Sequence, residues 1–247
     1  MSAGRLWLAL LGLVAFTPGP THAEGLVADL TSHLIAITTG FTGASVVLFG
    51  ATDGGADVVA VVRGPERDVT IWRKSKIAGI WANTESVTFA NIPSFYAVAA
   101  SKPLAELLSP SATALYKIGT GSLKFEPRSA VASDRAQLFA NALIAVQKDA
   151  RVFSPSLGKI VFLGDKLFRT TFFFPANVPT GTYLVEVFLV RDKDVVGGQT
   201  TPLVVSKVGV DAAVFDFARS NALAYGAIAV LVAVVAGWVA SLPFRNS

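Results

Sequence analysis

The sequence predicts a mainly β protein: an antiparallel, Ig-like β-sandwich body with a helical insertion, followed by one C-terminal transmembrane helix. Short apolar runs rich in β-branched residues recur between turn signals, which is typical of a sandwich. One stretch with helical spacing interrupts these runs, and a charge-free apolar stretch lies near the end of the chain. Hydrophobic residues make up 52% of the 247 residues and charged residues only 15%, which favours a large core together with a membrane segment.

The N-terminal residues 1–23 are predicted to be a signal peptide. Arg5 precedes an apolar run from Leu6 to Phe16, and a helix-breaking Pro-Gly-Pro follows at 18–20. Cleavage after Ala23 would leave small residues at the recognised positions. The alternative is an uncleaved anchor, but eleven apolar residues span only about 16 Å of a bilayer core of about 30 Å.

Residues 24–101 are predicted to form the first strands of the sandwich. The apolar runs are HLIAITTGF, ASVVLFGATD, DVVAVVRG, DVTIWRKSK and VTFANIPSFYAVAAS. Turn chemistry separates them at Thr42-Gly43, Asp53–Gly55 and Gly64-Pro65. Because no helical pattern intervenes, we expect the strands to pair antiparallel.

Residues 102–156 are predicted to be a loop and helical insertion. Within it, a helix is expected over roughly 134–150, with Ser133 as the N-cap. Leu138, Ala142 and Ala145 recur at helical spacing, which supports the helix.

Strands resume over residues 157–209, and they either complete the same body or form a second β module. The runs are KIVFLG, KLFRTTFFF, TYLVEVFLV and VVGGQTTPLVVSK. In TYLVEVFLV both alternating sets of side chains are mostly apolar, which predicts a central strand covered on both faces. Asp192 to Asp194 are expected at the tip of a hairpin.

The C-terminal region is predicted to hold a juxtamembrane segment (210–221), a transmembrane helix (222–242) and a short cytoplasmic tail (243–247). The signal peptide would export the body, so the tail alone would remain inside. One face of the helix repeats small residues every four positions, which lets a second helix approach. The alternative is that alanine is merely abundant here. These small residues are Ala229, Ala233, Gly237 and Ser241.

The stretch RGPERDVTIWRKSK (63–76) concentrates cations around a tryptophan. Strand alternation places Trp72, Lys74 and Lys76 on one face. This pattern predicts a docking surface for an anion or a partner. The alternative is a charged edge strand, in which lysine prevents unwanted pairing. The candidate docking residues are Arg63, Arg67, Trp72, Arg73, Lys74 and Lys76.

The sequence offers no recognisable catalytic or metal-binding motif, and no cofactor is expected. It has no cysteine, which excludes disulfides and thiolate chemistry, and His33 is the one histidine outside the predicted signal peptide. Asp29 and His33 are close enough in sequence to meet, but a surface or capping role is favoured over catalysis. The net charge of +4 is spread thinly along the chain, so a nucleic-acid partner is not expected.

Three segments carry a resemblance to a known family: the block from DVVAVVRGPERDVTIW to YAVAASKPL, then FPANVPTGTYLVEVFLVRD, then TTPLVVSKVG. They resemble a family of putative transmembrane proteins of alphaproteobacteria, over nearly the whole mature chain. The resemblance implies an inner-membrane protein with its bulk in the periplasm. The family is also weakly associated with neighbouring genes for anion permeases, which suggests a partner. No catalytic residue comes with the resemblance.

The leading functional hypothesis is therefore a non-enzymatic accessory subunit of a membrane complex, in contact with the lipid bilayer and a multi-pass protein partner. A periplasmic binding module for an anionic ligand is the first alternative, and an enzyme of unknown class is the second.

Overall fold

The computed structural model describes residues 25–241, with the side chains of residues 210–213, 216 and 239–241 left out. The predicted signal peptide and cytoplasmic tail lie outside the described residues. The strands are β1 (Leu26–Leu30), β2 (Leu34–Ile37), β3 (Gly43–Thr52), β4 (Asp57–Arg63), β5 (Glu66–Ile77), β6 (Ile80–Pro93), β7 (Tyr96–Ala100), β8 (Glu126–Pro127), β9 (Gly158–Lys159), β10 (Val161–Leu163), β11 (Leu167–Pro175), β12 (Gly181–Arg191) and β13 (Asp194–Lys207). The helices are α1 (Leu104–Leu107), α2 (Pro110–Leu115), α3 (Ser133–Asp149), α4 (Val210–Ser220) and α5 (Ala222–Ser241), with a 3-10 turn at Thr120–Ser122.

The strands of the described residues form three sheets. A four-stranded sheet has the order β1-β3-β11-β10, a six-stranded sheet β2-β13-β12-β4-β7-β9, and a three-stranded sheet β5-β6-β8. Strands from both sides of the helical insertion pair within the first two sheets. The two β segments of the sequence therefore complete one body and do not form two modules.

The sheets are mostly antiparallel, but two pairings are parallel and depart from the predicted antiparallel sandwich. β2 pairs parallel with β13, and β7 pairs parallel with β9. The parallel pairing of β9 with β7 follows from the insertion, because the chain leaves the sheet at the end of β7 and returns beside the same strand after residue 157. An Ig-like topology is not established by this strand order.

An aromatic cluster joins the four-stranded and six-stranded sheets. Phe174 on β11 stacks on Phe95 with ring centroids 4.8 Å apart, and its edge meets Tyr183 on β12 at 5.8 Å. All three rings are buried. The Tyr183 hydroxyl also donates a hydrogen bond to the Pro179 carbonyl at 2.6 Å, which fixes the turn that enters β12. The main core therefore lies between these two sheets.

The insertion covers the other face of the six-stranded sheet. Tyr116, at the end of α2, packs its ring on Phe188 of β12 at 5.3 Å. Phe153 packs on Tyr96 of β7 at 5.8 Å. β12 lies between β13 and β4 as predicted, and residues 58–62 of β4 are buried on both faces.

Helix α3 confirms the predicted helix, but not its N-cap. Ala132 is the N-cap and Ser133 is already helical. The side chains that face the core are Phe139, Ala140, Leu143 and Gln147, whereas Leu138 is exposed. The bulky Phe139–Leu143 pair, one turn apart, buries more apolar area than a face made of Leu138 and two alanines would.

The described residues after β13 form two consecutive helices, α4 and α5. The twenty residues of α5 contain no acidic or basic side chain in the first or last turn. The predicted segment 222–242 extends one residue past the described range. The side chains of α5 are described as far as Trp238. Among the described residues, no helix has both the length and the apolar character needed to span a bilayer.

Candidate interaction site

The charged stretch 63–76 begins at the end of β4 and continues as β5, the edge strand of the three-stranded sheet. β5 and β6 form a long hairpin that closes through Ala78 and Gly79, both with positive φ. Positive φ at both central residues is the backbone of a type I′ turn, which matches the twist of the paired strands. The register places Trp72, Lys74 and Lys76 on one face as predicted, because the extra residue of the bulge, Thr84, lies in β6.

The tip of this hairpin, residues 76–81, combines apolar and basic side chains. Ile77 and Ile80 lie opposite each other, and Lys76 lies opposite Trp81. Ile80 is 73% exposed and Trp81 is 68% exposed. The predicted docking residues did not include Ile77, Ile80 or Trp81, although apolar residues directly flanking a turn are themselves a signal, because turn regions are normally polar.

Arg63 does not belong to the hairpin surface. It lies at the end of β4, where its guanidinium forms an ion pair with Glu186 of β12 and donates to the Tyr116 carbonyl at 2.6 Å. The two side chains are only 19% and 23% exposed. Desolvation lowers the pKa of the guanidinium from its usual value. Arg63 therefore ties the insertion to the six-stranded sheet.

The remaining candidate cations differ in their partners. Arg73 approaches Glu85 across the hairpin at 3.9 Å. The neighbouring Asp68 does not neutralise the candidate cations, because Arg128 holds it through two nitrogens at 2.5 and 2.6 Å. Among the described residues no carboxylate pairs with Lys74 or Lys76. Two cations without an ion pair, Lys74 and Lys76, therefore lie toward the tip. Arg67 is exposed at the base of β5, opposite Ile92.

A cavity of about 440 Å³ lies beside the base of the hairpin. Its lining combines the Arg63–Glu186 pair with Lys117, Lys124 and Phe125. The Arg63 guanidinium is already bound to protein groups, so an anion entering here would have to rely on the lysines.

Tyr96 fixes the segment next to this cavity. Its hydroxyl donates to the Lys117 carbonyl at 2.9 Å and accepts from the Gly119 N–H at 2.8 Å. These bonds hold Lys117 and Gly119 at positive φ. Burial raises the pKa of Tyr96, and likewise that of Tyr183, to about 12.

We expect a loss of stability at high pH that depends on Tyr96 and Tyr183. An unfolded tyrosine has a pKa of about 10, so between pH 10 and 12 the folded state binds more protons than the unfolded state. Stability that is complete below about pH 10 must then fall as the pH rises to 12. Denaturant unfolding at several pH values, beside phenolate absorbance, measures this. The Tyr96→Phe/Tyr183→Phe variant should lose less stability over the same range, and a parallel fall of both proteins would contradict the assignment.

The outer face of the four-stranded sheet is a second exposed surface, here called the open face. Its cross-strand rows follow the register Val27–Ala51–Leu167–Leu163 and Asp29–Phe49–Arg169–Val161. The large apolar side chains on it that are exposed are Val27, Phe49, Val161, Leu163, Leu167 and Phe173. This surface was not predicted from the sequence, because whether a second layer covers a sheet face depends on segments that are distant in the chain.

Asp29 and His33 do meet, on the surface of the body. The His33 imidazole lies 2.9 Å from the Asp29 carboxylate, and both side chains are about half exposed. The adjacent Ser32 hydroxyl donates to the Leu34 carbonyl instead of to the imidazole. Within the described residues no three His, Asp or Glu side chains cluster closely enough to hold a metal ion.

The predicted helix-packing residues fall on α5. Ala229, Ala233 and Gly237 are exposed and recur at intervals of one turn, while the side chain of Ser241 lies outside the described residues. Their role in helix packing stays a prediction.

Comparison with known proteins gives one family. A family model described as "Putative transmembrane protein (Alph_Pro_TM)" matches residues 25–246, so the chain belongs to this family. No curated protein and no solved structure matches the chain.

Proposed function

We propose that this member of the Alph_Pro_TM family is a membrane-tethered, non-enzymatic accessory subunit, whose exported β body binds a multi-pass membrane protein through the open face. The tether would be the C-terminal segment, with the body in the periplasm and the last residues in the cytoplasm.

Two observations support the tether. The family is described as transmembrane. The sequence from Ser220 to Phe244 contains no charged residue, which extends the uncharged stretch beyond the described side chains of α5. A helix of about twenty apolar residues has the length of a bilayer core. The exported orientation is supported by the predicted signal peptide, since the positive charges flanking the segment are balanced.

The open face is the observation that supports protein binding. A sandwich normally presents polar side chains on an outer sheet face, whereas five of the six exposed apolar side chains here lie on the two adjacent cross-strand rows, which also hold Asp29 and Arg169. Contiguous apolar patches on soluble monomers are small, and larger ones mark interaction surfaces. The face is formed by four paired strands and is therefore rigid enough to serve as a preformed interface.

The test is purification of the full-length protein from native membranes in mild detergent. We expect a multi-pass protein to co-purify with the natural chain and not with a Leu163→Glu/Leu167→Lys variant. Leu163 and Leu167 lie directly opposite each other, so the new charges can pair across the strands and keep the sheet intact. The change places two charges in the apolar interface and should reduce recovery of the partner at least tenfold.

A matched control places the same charges on exposed apolar positions elsewhere, in Leu115→Lys/Val146→Glu. This control should retain the partner. A third form, with residues 222–242 replaced by an unrelated transmembrane helix, reports whether α5 contributes to binding. If the partner is lost only in the helix exchange, the open face is not the binding surface. If no multi-pass protein co-purifies with the natural chain, the accessory role itself is overturned.

A further inference from the structure

The hairpin tip (residues 76–81) is an isolated apolar projection of the β body. Ile77, Ile80 and Trp81 are each more than half exposed, and no buried residue lies between Trp72 and Ser86. The base of the hairpin is anchored by Val87 and Phe89, which are in the core. From Ile71, opposite Val87, to Ile77 the strand extends about 20 Å.

The charge around the tip is one-sided. Between residues 73 and 85 there are three cations, Arg73, Lys74 and Lys76, and one carboxylate, Glu85, which lies near Arg73. Lys74 and Lys76 therefore present unpaired charge on the face that also holds Trp81. Tryptophan and lysine side chains together are typical of the membrane–water interface. The amphipathic indole ring lies at the level of the headgroups, and the lysine ammonium group reaches lipid phosphate.

From this arrangement we infer that the hairpin tip inserts into the headgroup region of an anionic lipid bilayer. Ile77 and Ile80 enter the boundary with the acyl chains, Trp81 lies at the level of the headgroups, and Lys74 and Lys76 bind lipid phosphates. The inference rests on the proposed tether, because the tether holds the body beside the bilayer and raises the local concentration of lipid at the tip.

Size and charge favour a bilayer over a protein at this tip. A protein interface of standard size buries about 800 Å² on each partner. The tip offers only three large apolar side chains at the end of two strands. A bilayer needs no complementary shape, and its anionic phosphates match the excess of cations. The tip therefore orients the body through lipid, while the open face remains free for the protein partner.

The experiment uses full-length protein reconstituted in vesicles, with one environment-sensitive fluorophore on a single cysteine. The chain has no cysteine, so each label is unique. One label is placed at the tip by Ile80→Cys, and a reference label on an exposed loop by Ser156→Cys. In vesicles of equimolar phosphatidylglycerol and phosphatidylcholine, we expect the tip label to shift to the blue and to be shielded from acrylamide. The reference label should remain accessible.

Neutralising the tip tests the role of charge. Lys74→Gln/Lys76→Gln should lower the ratio of shielded to accessible tip label about thirtyfold, as expected for two lysines near an anionic surface. Lys159→Gln/Lys166→Gln removes the same charge from exposed positions elsewhere and should leave the ratio unchanged. In vesicles of phosphatidylcholine alone, the natural hairpin tip should insert as weakly as the neutralised variant does in the anionic vesicles.

Vesicle flotation separates the failure of this inference from the failure of the tether. Protein that floats with the vesicles while its tip label is as accessible as the reference label overturns tip insertion alone. Protein that does not float overturns the tether and the tip insertion together. Equal shielding in the two lysine pairs would overturn the specific contribution of Lys74 and Lys76.

Discussion

Replacing Phe174 with alanine should destabilise the β body by about 4 kcal/mol, as for other buried phenylalanines. The ring is fully buried and connects the two main sheets, with Phe95 stacked on it at 4.8 Å and Tyr183 against its edge. Truncation removes these contacts and leaves a cavity between sheets that cannot close without moving whole strands. For a body of this size we expect the melting temperature to fall by about 12 °C.

The matched control is the neighbouring residue on the same strand. Phe173 points to the open face and is 54% exposed, so Phe173→Ala should change the melting temperature by only about 2 °C. Thermal unfolding of the full-length protein in detergent, followed by near-ultraviolet circular dichroism, measures both. Similar small shifts in the two variants would show that the two sheets do not share the core described.

The sequence was sufficient to predict the local features of the body. The apolar residues on both alternating sets of TYLVEVFLV predicted a central strand, and β12 lies between β13 and β4. The Asp192 and Lys193 turn has positive φ at both positions, as the predicted hairpin requires. The alternation in β5 also predicted which cations share a face with Trp72. Such features depend on neighbours in sequence, and their physical cause is therefore visible in the residues themselves.

The features that were missed depend on contacts between distant segments. Arg63 was grouped with the hairpin cations because it is close in sequence, but its partner Glu186 is brought to it by the pairing of β12 with β4. The parallel pairing of β9 with β7 follows from the return path of the insertion. The short strand β1 was absent from the predicted runs, and its place is set by pairing with β3. None of these has a periodic signal of its own.

The candidate surfaces show the same limit. The outward set of β11 mixes the apolar Leu167 and Phe173 with Arg169 and Thr171, and only the absence of a covering layer among the described residues identifies the open face. At the hairpin tip the chemistry of Ile77, Ile80 and Trp81 was readable. What could not be read was that the hairpin extends past the body and leaves them uncovered.

Removing the carboxylate of Glu186 should cost about 3 kcal/mol, since a mostly buried guanidinium then loses its counter-charge. Arg63 would keep its hydrogen bonds to the carbonyls of Tyr116 and Lys117, but its charge would remain desolvated. Glu186→Leu is the informative variant, because leucine fills similar space without an acceptor. Denaturant unfolding of the full-length protein gives the free energy of unfolding.

A double-mutant cycle with Arg63→Met decides whether the pair acts as a unit. If it does, the loss of unfolding free energy in Arg63→Met/Glu186→Leu should be smaller than the sum of the two single losses by at least about 1.5 kcal/mol. The reason is that the second change removes the unpaired charge that the first one left. Additive effects would contradict a coupled pair. Because the Arg63 guanidinium is bound inside the fold, the double variant should also recover the membrane partner and insert its hairpin tip as the natural protein does. Both surfaces would then be independent of Arg63, although the sequence places this arginine in the same charged stretch as the lysines of the tip.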